Sequence, residues 1–397
     1  MKHLVSLCEE ASAYLSRNPL DGSILKRLKK DARLRDLAGE IDTCLHAAGE
    51  VYAPAAPVKR PTKEIKAVTW NIERGKNFNS ILRILQTHED LKGADLYFLT
   101  EVDWGMVRSG NRNVAVELGE RLGLYAYFAP SYFNFTIGHG SERHLSGRNT
   151  VGLHGKAILS RYPLTDLRAS SIANATNILT SKESRLGQKR SLIGHLEIAG
   201  TQLALACIHL DAFSSPRMRA RQIEEAVAPL LRGTERAPAL IAGDWNTNTI
   251  NSSSGRTVLL SVLRQLLLTG PKKMIVQHHP FPEKKYDRRL FQTLLQLGFD
   301  FESFNEMGVG TYDVVNNDME LGQMAMDQFP KWVLQWINRL IARSGGLVSL
   351  KLDWFAGRGL QPLDKKVVRP KPEDDYPPND RPSDHHPVLL KVCLPAS

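Results

Sequence analysis

Two short segments of this chain combine residue types that can carry out hydrolysis. The apolar run APALIAG leads straight into Asp244, Trp245 and Asn246, which predicts a buried strand that ends in a carboxylate and an amide. Residues 383–387 read SDHHP and stand just before another apolar run, VLLKV. Asp and Asn also favour ordinary turns, so one such ending means little. The question is whether other strands end in the same chemistry.

Further apolar runs do end in carboxylates, amides or imidazoles. KAVTWN ends at Asn71, ADLYFLTE at Glu101, QLALACIH at His209 and SLKLD at Asp353, and Asp384 and His385 precede the last run. Chance supplies one or two such endings, but this many from so narrow a palette point to one shared site. Ligand sites commonly lie at strand ends in α/β folds.

The types of these residues indicate a site that binds a metal ion and a phosphate group. It contains no thiol, and hard oxygen ligands select Mg²⁺ or Mn²⁺ over zinc. Asn71 and Glu101 could hold or orient such an ion, while Asp244, with Asn246 beside it, could align and deprotonate a water. A histidine oriented by a carboxylate, such as His385 by Asp353, can bond a phosphoryl oxygen or protonate a leaving group. Together these groups predict hydrolysis of a phosphate ester.

The elements that must position these residues divide the chain into three parts. Residues 1–50 keep a helical apolar period, which predicts an N-terminal helical segment. Residues 51–64 are rich in proline and predict a linker. From residue 65 to 397, short apolar runs alternate with helical stretches, so we expect one α/β catalytic domain.

Composition narrows the class of protein. The formal charge of +10 suits an anionic partner such as nucleic acid or a lipid headgroup, although the excess is spread along the chain. The four cysteines include no CxxC spacing, so neither a zinc ribbon nor a redox pair is indicated. Nowhere do eighteen apolar residues follow one another, and the amino terminus lacks a secretory apolar region. We therefore predict a cytoplasmic protein.

The motifs, taken in order, resemble those of the endonuclease/exonuclease/phosphatase superfamily. The matching stretches are TWNIERG (69–75), LTEVD (99–103), GKAILSRYPL (155–164), IHLDAF (208–213), GDWN (243–246), LDWFAGRGL (352–360) and SDHHP (383–387). Each stretch alone is weak, whereas the ordered set, which spans residues 66–394, is specific.

The resemblance implies both a fold and a set of roles. The fold would be that of deoxyribonuclease I: a four-layer α/β sandwich of two stacked mixed sheets flanked by helices, here with the N-terminal helices appended. The roles that it implies cover eight residues: a metal region with Glu101 as main ligand and Asn71 and Asp384 nearby, Asp244 as the water-aligning base with Asn246 as its partner, His385 on the phosphate oriented by Asp353, and His209 steadying the developing charge.

Departures from the superfamily pattern leave the substrate open. Residues 1–62 have no counterpart in the superfamily core, and 108 residues separate Asp244 from Asp353, which predicts an insertion. A nuclease is the first interpretation because of the positive charge. A sphingomyelinase-like lipid phosphodiesterase is the second, because residues 331–343 predict an amphipathic helix with two tryptophans that could meet a membrane surface, although docking on the core is favoured. An inositol or sugar phosphatase, and a non-catalytic binding protein on the same fold, are further alternatives; the oligomeric state is open.

Overall fold

A computed structural model of the chain describes residues 1–18, 22–55, 63–175, 177–180, 183–198, 200–212, 214–231, 237–247, 279–315, 335, 339, 342 and 347–394. The α-helices in this part are α1 (Lys2–Arg17), α2 (Ile24–Lys30), α3 (Ala32–Cys44), α4 (Phe78–Thr87), α5 (Val114–Leu122), α6 (Pro216–Leu231) and α7 (Arg288–Gln296). Short 3-10 turns occupy Val107–Ser109, Gly140–His144, Ile178–Thr180 and Pro282–Lys284.

The strands in the described part form three sheets. They are β1 (Gly49–Tyr52), β2 (Glu64–Arg74), β3 (Leu96–Trp104), β4 (Tyr125–Asn134), β5 (Leu153–Ser160), β6 (Thr165–Ser171), β7 (Arg185–Gly187), β8 (Arg190–Ile198), β9 (Thr201–His209), β10 (Ala239–Asp244), β11 (Tyr312–Val315), β12 (Leu347–Leu350), β13 (Asp353–Arg358), β14 (Gln361–Val367) and β15 (Val388–Cys393). The first sheet has the order β1-β4-β5-β3-β2-β15-β14, with β7 also paired to β4. The second has the order β13-β10-β9-β8-β6, and β11 and β12 form a separate ribbon.

The two large sheets are mixed and stack face to face. β2 runs parallel to β3, and β9 runs parallel to β10, while the other strand pairs in these sheets are antiparallel. Their inner faces share one apolar core, in which Phe98 and Ile158 of the first sheet lie with Leu205 and Phe355 of the second. Helices α4 and α5 cover the outer face of the first sheet, and α6 and α7 cover that of the second. The predicted four-layer sandwich is therefore confirmed.

The N-terminal helices pack against the first sheet. The apolar faces of α1 and α3 share a buried cluster with Phe133 of β4 and Leu153 of β5, and Ser12 donates a hydrogen bond to the Val151 carbonyl at 3.1 Å. Strand β1, at the start of the predicted linker, pairs with β4. The division into a helical segment (1–50), a linker (51–64) and a catalytic domain (65–397) stays a prediction.

Strand polarity brings the candidate site residues together at one edge of the sandwich, that is, at the end of the sandwich where β10 finishes and β13 starts. Three predicted strand endings are wrong. Asn71 and Glu101 lie within β2 and β3, where shifts in register let the strands continue past them, and Asp353 is the first residue of β13. However, β13 runs antiparallel to β10, so the start of β13 lies beside the end of β10, with Asp353 opposite Asp244. The same polarity places the start of β15 beside the end of β2. Among the described residues, no helix has the length and apolarity to cross a bilayer, and the predicted helix at 331–343 lies almost wholly outside them.

Candidate active site

The GDWN turn answers why the apolar run stops so abruptly. Gly243 has φ 137°, and a side-chain carbon there would lie 1.9 Å from the Ile208 carbonyl oxygen of the neighbouring strand, so only glycine fits. Trp245 is fully buried and stacks on Trp354 at 6.0 Å, which anchors the turn in the core. Asn246 adopts a left-handed backbone with φ 49°, a conformation that asparagine tolerates better than most residues. The turn thereby holds Asp244 at the sheet edge.

Asp244 is held from both sheets. Asn71 Nδ2, on β2 of the first sheet, donates to Asp244 Oδ2 at 3.0 Å, and the Asn246 backbone N–H donates to Oδ1 at 2.8 Å. His209 Nε2 on the neighbouring strand lies 3.6 Å from Asp244 Oδ2. Burial, followed by the negative charge of Asp353, raises the pKa of Asp244 to about 7. A carboxyl with such a pKa is suited to proton transfer near neutral pH.

His385 and Asp353 form a second contact between the sheets. His385 Nδ1 lies 2.7 Å from Asp353 Oδ2, and both side chains are buried. The His385 carbonyl accepts a bond from Trp70 Nε1 at 2.9 Å, which ties the segment before β15 to β2. Burial alone would lower the pKa of His385, but the facing Asp353 raises it well above its ordinary value. The imidazole therefore holds a proton that it can donate.

The neighbouring histidine turns to a different partner. His386 Nε2 lies 2.9 Å from Asp313 Oδ2 of β11, and Arg369 also pairs with that carboxylate. Its backbone N–H donates to the Thr311 carbonyl at 2.7 Å. The two adjacent imidazoles thus point to opposite sides of an extended chain, as alternation along a strand requires. Of the two, His385 is the one beside Asp244.

Glu101 sits at a bulge in the middle of the first sheet. The registers of β3 with both β2 and β5 shift at this position, and Glu101 has φ 54°. A left-handed backbone in a non-glycine strand residue is strained, and such strain clusters at functional sites. Among the described residues, no donor lies within hydrogen-bond distance of its carboxylate, and Arg74 Nε is an ion-pair neighbour at 3.7 Å. Burial alone would raise the pKa of Glu101, yet Arg74 and nearby histidines hold it well below the usual range.

These observations fit a divalent cation between Glu101 and Asp384. Glu101 is an ionised, partly open carboxylate with unused lone pairs. Burial raises the pKa of Asp384 to about 6, and the negative charges of Glu73 and Glu101 add to that effect. Carboxylates that crowd together in this way are stabilised by a cation among them. The Asn71 amide oxygen accepts a bond from the Glu73 N–H at 3.0 Å and keeps a second lone pair.

A second group could also hold an ion. One side-chain atom each of Asp244, Asp353 and His385 lies within 4.8 Å of the others, and all three residues are buried. Asp353 Oδ1 is buried without a hydrogen-bond partner among the described residues. Here, however, the positive charge is already supplied by the His385 imidazole. The structure thus places all eight predicted site residues at one edge of the sandwich, and their separate roles stay predictions.

Sequence reasoning missed several residues of this edge. Glu73 and Arg74 follow Asn71 in two consecutive left-handed conformations, with φ 46° and 67°. The only signal was their position in the NIERG stretch beside Asn71. Lys189 and His154 also lie near Glu101, since their charges help to lower its pKa. Nothing in the sequence distinguished these two residues, because neither ends a predicted strand.

The chain was compared with curated protein sequences and with solved structures. No curated protein sequence matches the chain. Among solved structures, endonuclease/exonuclease/phosphatase from Beutenbergia cavernae is 14% identical, with coverage of 83% of this chain and 72% of that one and a TM-score of 0.47. The human Nocturnin catalytic domain with bound sulfate is 14% identical, with coverage of 88% and 97% and a TM-score of 0.44. D. rerio TDP2 complexed with single strand DNA product is 13% identical, with coverage of 83% and 98% and a TM-score of 0.44.

The family assignment rests on the sequence itself rather than on these distant structures. Residues 68–385 match the sequence pattern of the Endonuclease/Exonuclease/phosphatase family. This range begins three residues before Asn71 and ends at His385, so it contains every predicted site residue. The chain therefore belongs to the Endonuclease/Exonuclease/phosphatase family, whose members are enzymes that hydrolyse phosphate esters.

Proposed function

We propose that this enzyme is a phosphodiesterase that uses Mg²⁺ or Mn²⁺, attacks its substrate with water and acts on nucleic acid. The observation that carries the proposal is the pair of contacts between the sheets. Asn71 meets Asp244 at 3.0 Å, and His385 meets Asp353 at 2.7 Å, so base, acid and metal region converge on one edge. A phosphate bound there would have a general base and a general acid within reach.

Each side chain has a role in this proposal. Glu101, Asp384 and Asn71 would hold the ion, which when bound supplies positive charge to a phosphate oxygen. Asp244, kept in orientation by Asn71 and Asn246, aligns a water and accepts its proton. His385, kept protonated by Asp353, donates a hydrogen bond or a proton to the phosphate or the leaving oxygen. His209, beside Asp244, steadies the charge that develops on the phosphate.

The substrate class rests on charge. The net charge of +10 favours a polyanion such as nucleic acid, whose phosphate backbone attracts basic proteins. The lipid alternative depended on the helix predicted at 331–343, which lies almost wholly outside the described residues. Lipid and inositol phosphates therefore enter as outcomes of the test, and a cytoplasmic location remains part of the proposal.

The test is hydrolysis by the full chain with and without metal. We expect the purified protein to cleave bis-p-nitrophenyl phosphate, to stop in EDTA and to recover with Mg²⁺ or Mn²⁺. Asp244→Asn should be inactive, whereas Asp166→Asn, the same change at an exposed position on β6, should match wild type. A panel of plasmid, single-stranded DNA, RNA, sphingomyelin and inositol phosphates then ranks substrates. Full activity after exhaustive chelation would contradict the metal, and preference for sphingomyelin would contradict the nuclease.

A further inference from the structure

The active-site edge consists of two facing rows of strands. In the first sheet the neighbouring elements are β15, β2, β3 and β5, and in the second they are β13, β10, β9 and β8. These strands face one another across the interior in the same order. His385 meets Asp353, Asn71 meets Asp244, and Glu101 lies near His209, whose charge helps to lower the pKa of Glu101. The proposed chemistry uses these first three pairs and leaves the fourth unassigned.

The residues at the fourth position are His154 on β5 and Lys189 immediately before β8, and both lie near Glu101. His154 is opposite Asp103 of β3, and its Nδ1 lies 2.7 Å from Asp103 Oδ1. Its ring stacks on Tyr132 with an interplanar angle of 8°, which fixes its orientation. The Lys189 backbone is held by Asn174 Oδ1, which accepts from the Lys189 N–H at 3.1 Å. Adjacent strands are about 4.8 Å apart, so this pair lies roughly that far beyond Glu101 and His209.

Both side chains are buried, and each has an unused polar atom. Lys189 is 8% exposed and His154 is 6% exposed. Within the part of the chain that the structure describes, no carboxylate lies within ion-pair distance of Lys189 Nζ, and His154 Nε2 has no hydrogen-bond partner. The nearby Asp211 carboxylate is occupied by the Ala175 N–H at 2.7 Å and Gln222 Nε2 at 2.9 Å.

An unpaired buried ammonium is costly, because it loses hydration without gaining a counter-ion. Burial accordingly lowers the pKa of Lys189, and the negative charges of Asp211, Glu101 and Asp244 oppose that change. The cost is offset when an anion binds. The surrounding carboxylates cannot be that anion, because none reaches the ammonium.

We infer that Lys189 and His154 form a subsite for a second phosphate group on the substrate, one strand beyond the scissile phosphate. This inference rests on the proposed phosphodiesterase function and names a specificity that goes beyond it. The second phosphate belongs to a nucleotide or to an inositol phosphate, since both carry phosphates separated by a sugar or ring. The subsite makes Lys189 a residue that determines specificity rather than one that takes part in bond cleavage.

The kinetic test uses two substrates with the same scissile ester. They are thymidine 5′-(p-nitrophenyl phosphate) with and without a 3′-phosphate. For wild type we expect the 3′-phosphate to lower KM by about ten- to a hundredfold, the effect of a hydrogen bond to a charged group. Lys189→Met should abolish that difference and leave kcat on the simpler substrate within about threefold, well below the loss for an acid or base. Lys189→Arg should retain part of the difference.

Measuring ligand binding under conditions in which no hydrolysis occurs tests the subsite independently of the proposed function. In EDTA, calorimetry measures the Kd of thymidine 3′,5′-bisphosphate and of inositol 1,4-bisphosphate for wild type and Lys189→Met. A Kd that rises at least about tenfold in the variant supports the subsite even if the wild type cleaves none of the substrates tested. The ligand that shows the larger rise identifies the source of the phosphate. The subsite would be overturned if, for each ligand, wild type and Lys189→Met had the same Kd, and if the ratio of KM values with and without the 3′-phosphate were also unchanged in the variant.

The thermal midpoint of unfolding distinguishes a lysine kept for a ligand from a lysine that stabilises the fold. Removing an unpaired buried charge relieves its desolvation cost, so Lys189→Met should raise the thermal midpoint in the absence of ligand. A lowered midpoint would show that the ammonium contributes to folding and would count against a residue kept for a ligand. Lys391→Met, at a strand position with a half-exposed side chain, is the control and should leave both midpoint and Kd unchanged.

Discussion

The Nδ1 atom of His385, just before the last strand of the first sheet, lies 2.7 Å from Oδ2 of Asp353, the first residue of β13 in the second sheet. The two residues are 32 positions apart in the chain, and their contact closes the active-site edge of the sandwich. This pair fixes which ring nitrogen of His385 is free to face a substrate, because Nδ1 is engaged.

The two adjacent histidines should differ in function. We expect His385→Ala to lower kcat at least about a hundredfold, since loss of a general acid or base costs roughly 10²- to 10⁴-fold. His386→Ala should keep kcat within about tenfold, or about 1.4 kcal/mol of barrier, because its imidazole contacts Asp313 instead. The measurement is kcat on the best substrate of the panel, with circular dichroism to check folding. A larger loss for His386→Ala would mean that the assignment of the two side chains is reversed.

Metal binding should depend on Glu101 more than on Asp353. Glu101→Gln removes an ionised ligand that has no competing hydrogen bond, so we expect Mn²⁺ binding, measured by calorimetry, to weaken at least about tenfold. Asp353→Asn should leave the Mn²⁺ Kd nearly unchanged while lowering kcat, because its carboxylate faces His385. If Asp353→Asn instead abolishes Mn²⁺ binding, the ion lies in the Asp244, Asp353 and His385 group.

Stability should increase with pH through Lys156. This residue is 1% exposed, its Nζ lies 3.0 Å from Ser131 Oγ, and burial lowers its pKa to about 7. The unfolded chain, with an ordinary lysine pKa near 10.4, binds more protons between pH 7 and 10 than the folded chain does. The destabilisation is therefore complete below about pH 7 and disappears as the pH approaches the unfolded value.

The corresponding experiment compares urea unfolding of wild type and Lys156→Met across this range. We expect the variant to be more stable at pH 7 and the difference to shrink by pH 10. Lys391→Met, with a half-exposed side chain, should show no such trend. A stability difference that is independent of pH would mean that Lys156 has an ordinary pKa in the folded protein.

Removing one partner of the buried ion pair between Arg219 of α6 and Asp287 before α7 should strongly destabilise the protein. Two guanidinium nitrogens lie 2.9 and 3.1 Å from the two carboxylate oxygens, and both side chains are 0% exposed. Asp287→Ala leaves a buried charge unpaired, so we expect a loss of about 3–5 kcal/mol in the free energy of unfolding. The double variant Arg219→Leu/Asp287→Ala should be less destabilised than Asp287→Ala alone. Equal losses in the two proteins would show that the pair is not coupled.

Truncation should test the predicted domain boundary. A chain that begins at Pro61 lacks α1–α3 and β1, and it exposes Phe133 and Leu153 of the first sheet. We expect it to remain folded and to retain hydrolysis, with a lower thermal midpoint because that apolar area is no longer covered. An insoluble chain, or one inactive on every substrate that the full chain cleaves, would mean that the helices are integral to the catalytic domain.

The sequence by itself determined the layers of the fold and the chemistry of the site. Apolar runs predicted strands, and the polar residues at their predicted ends included Asn71, Glu101, His209 and Asp244. His209 and Asp244 do end their strands, whereas Asn71 and Glu101 lie within β2 and β3 at shifts of register. The order of the motifs then indicated the family. Such patterns lie within single segments or in the order of motifs along the chain, so reading them requires no knowledge of which strands are neighbours in a sheet.

Only the tertiary structure decided the pairings. That Asp353 begins a strand rather than ending one follows from antiparallel pairing with β10, and a short apolar run has the same pattern in either direction. Lys189 and His154 gave no signal, because a lysine before a strand and a histidine within one are ordinary until the fold brings both near Glu101. Burial, facing partners and the absence of a counter-ion depend on contacts between residues far apart in the chain, and those contacts exist only in the folded protein.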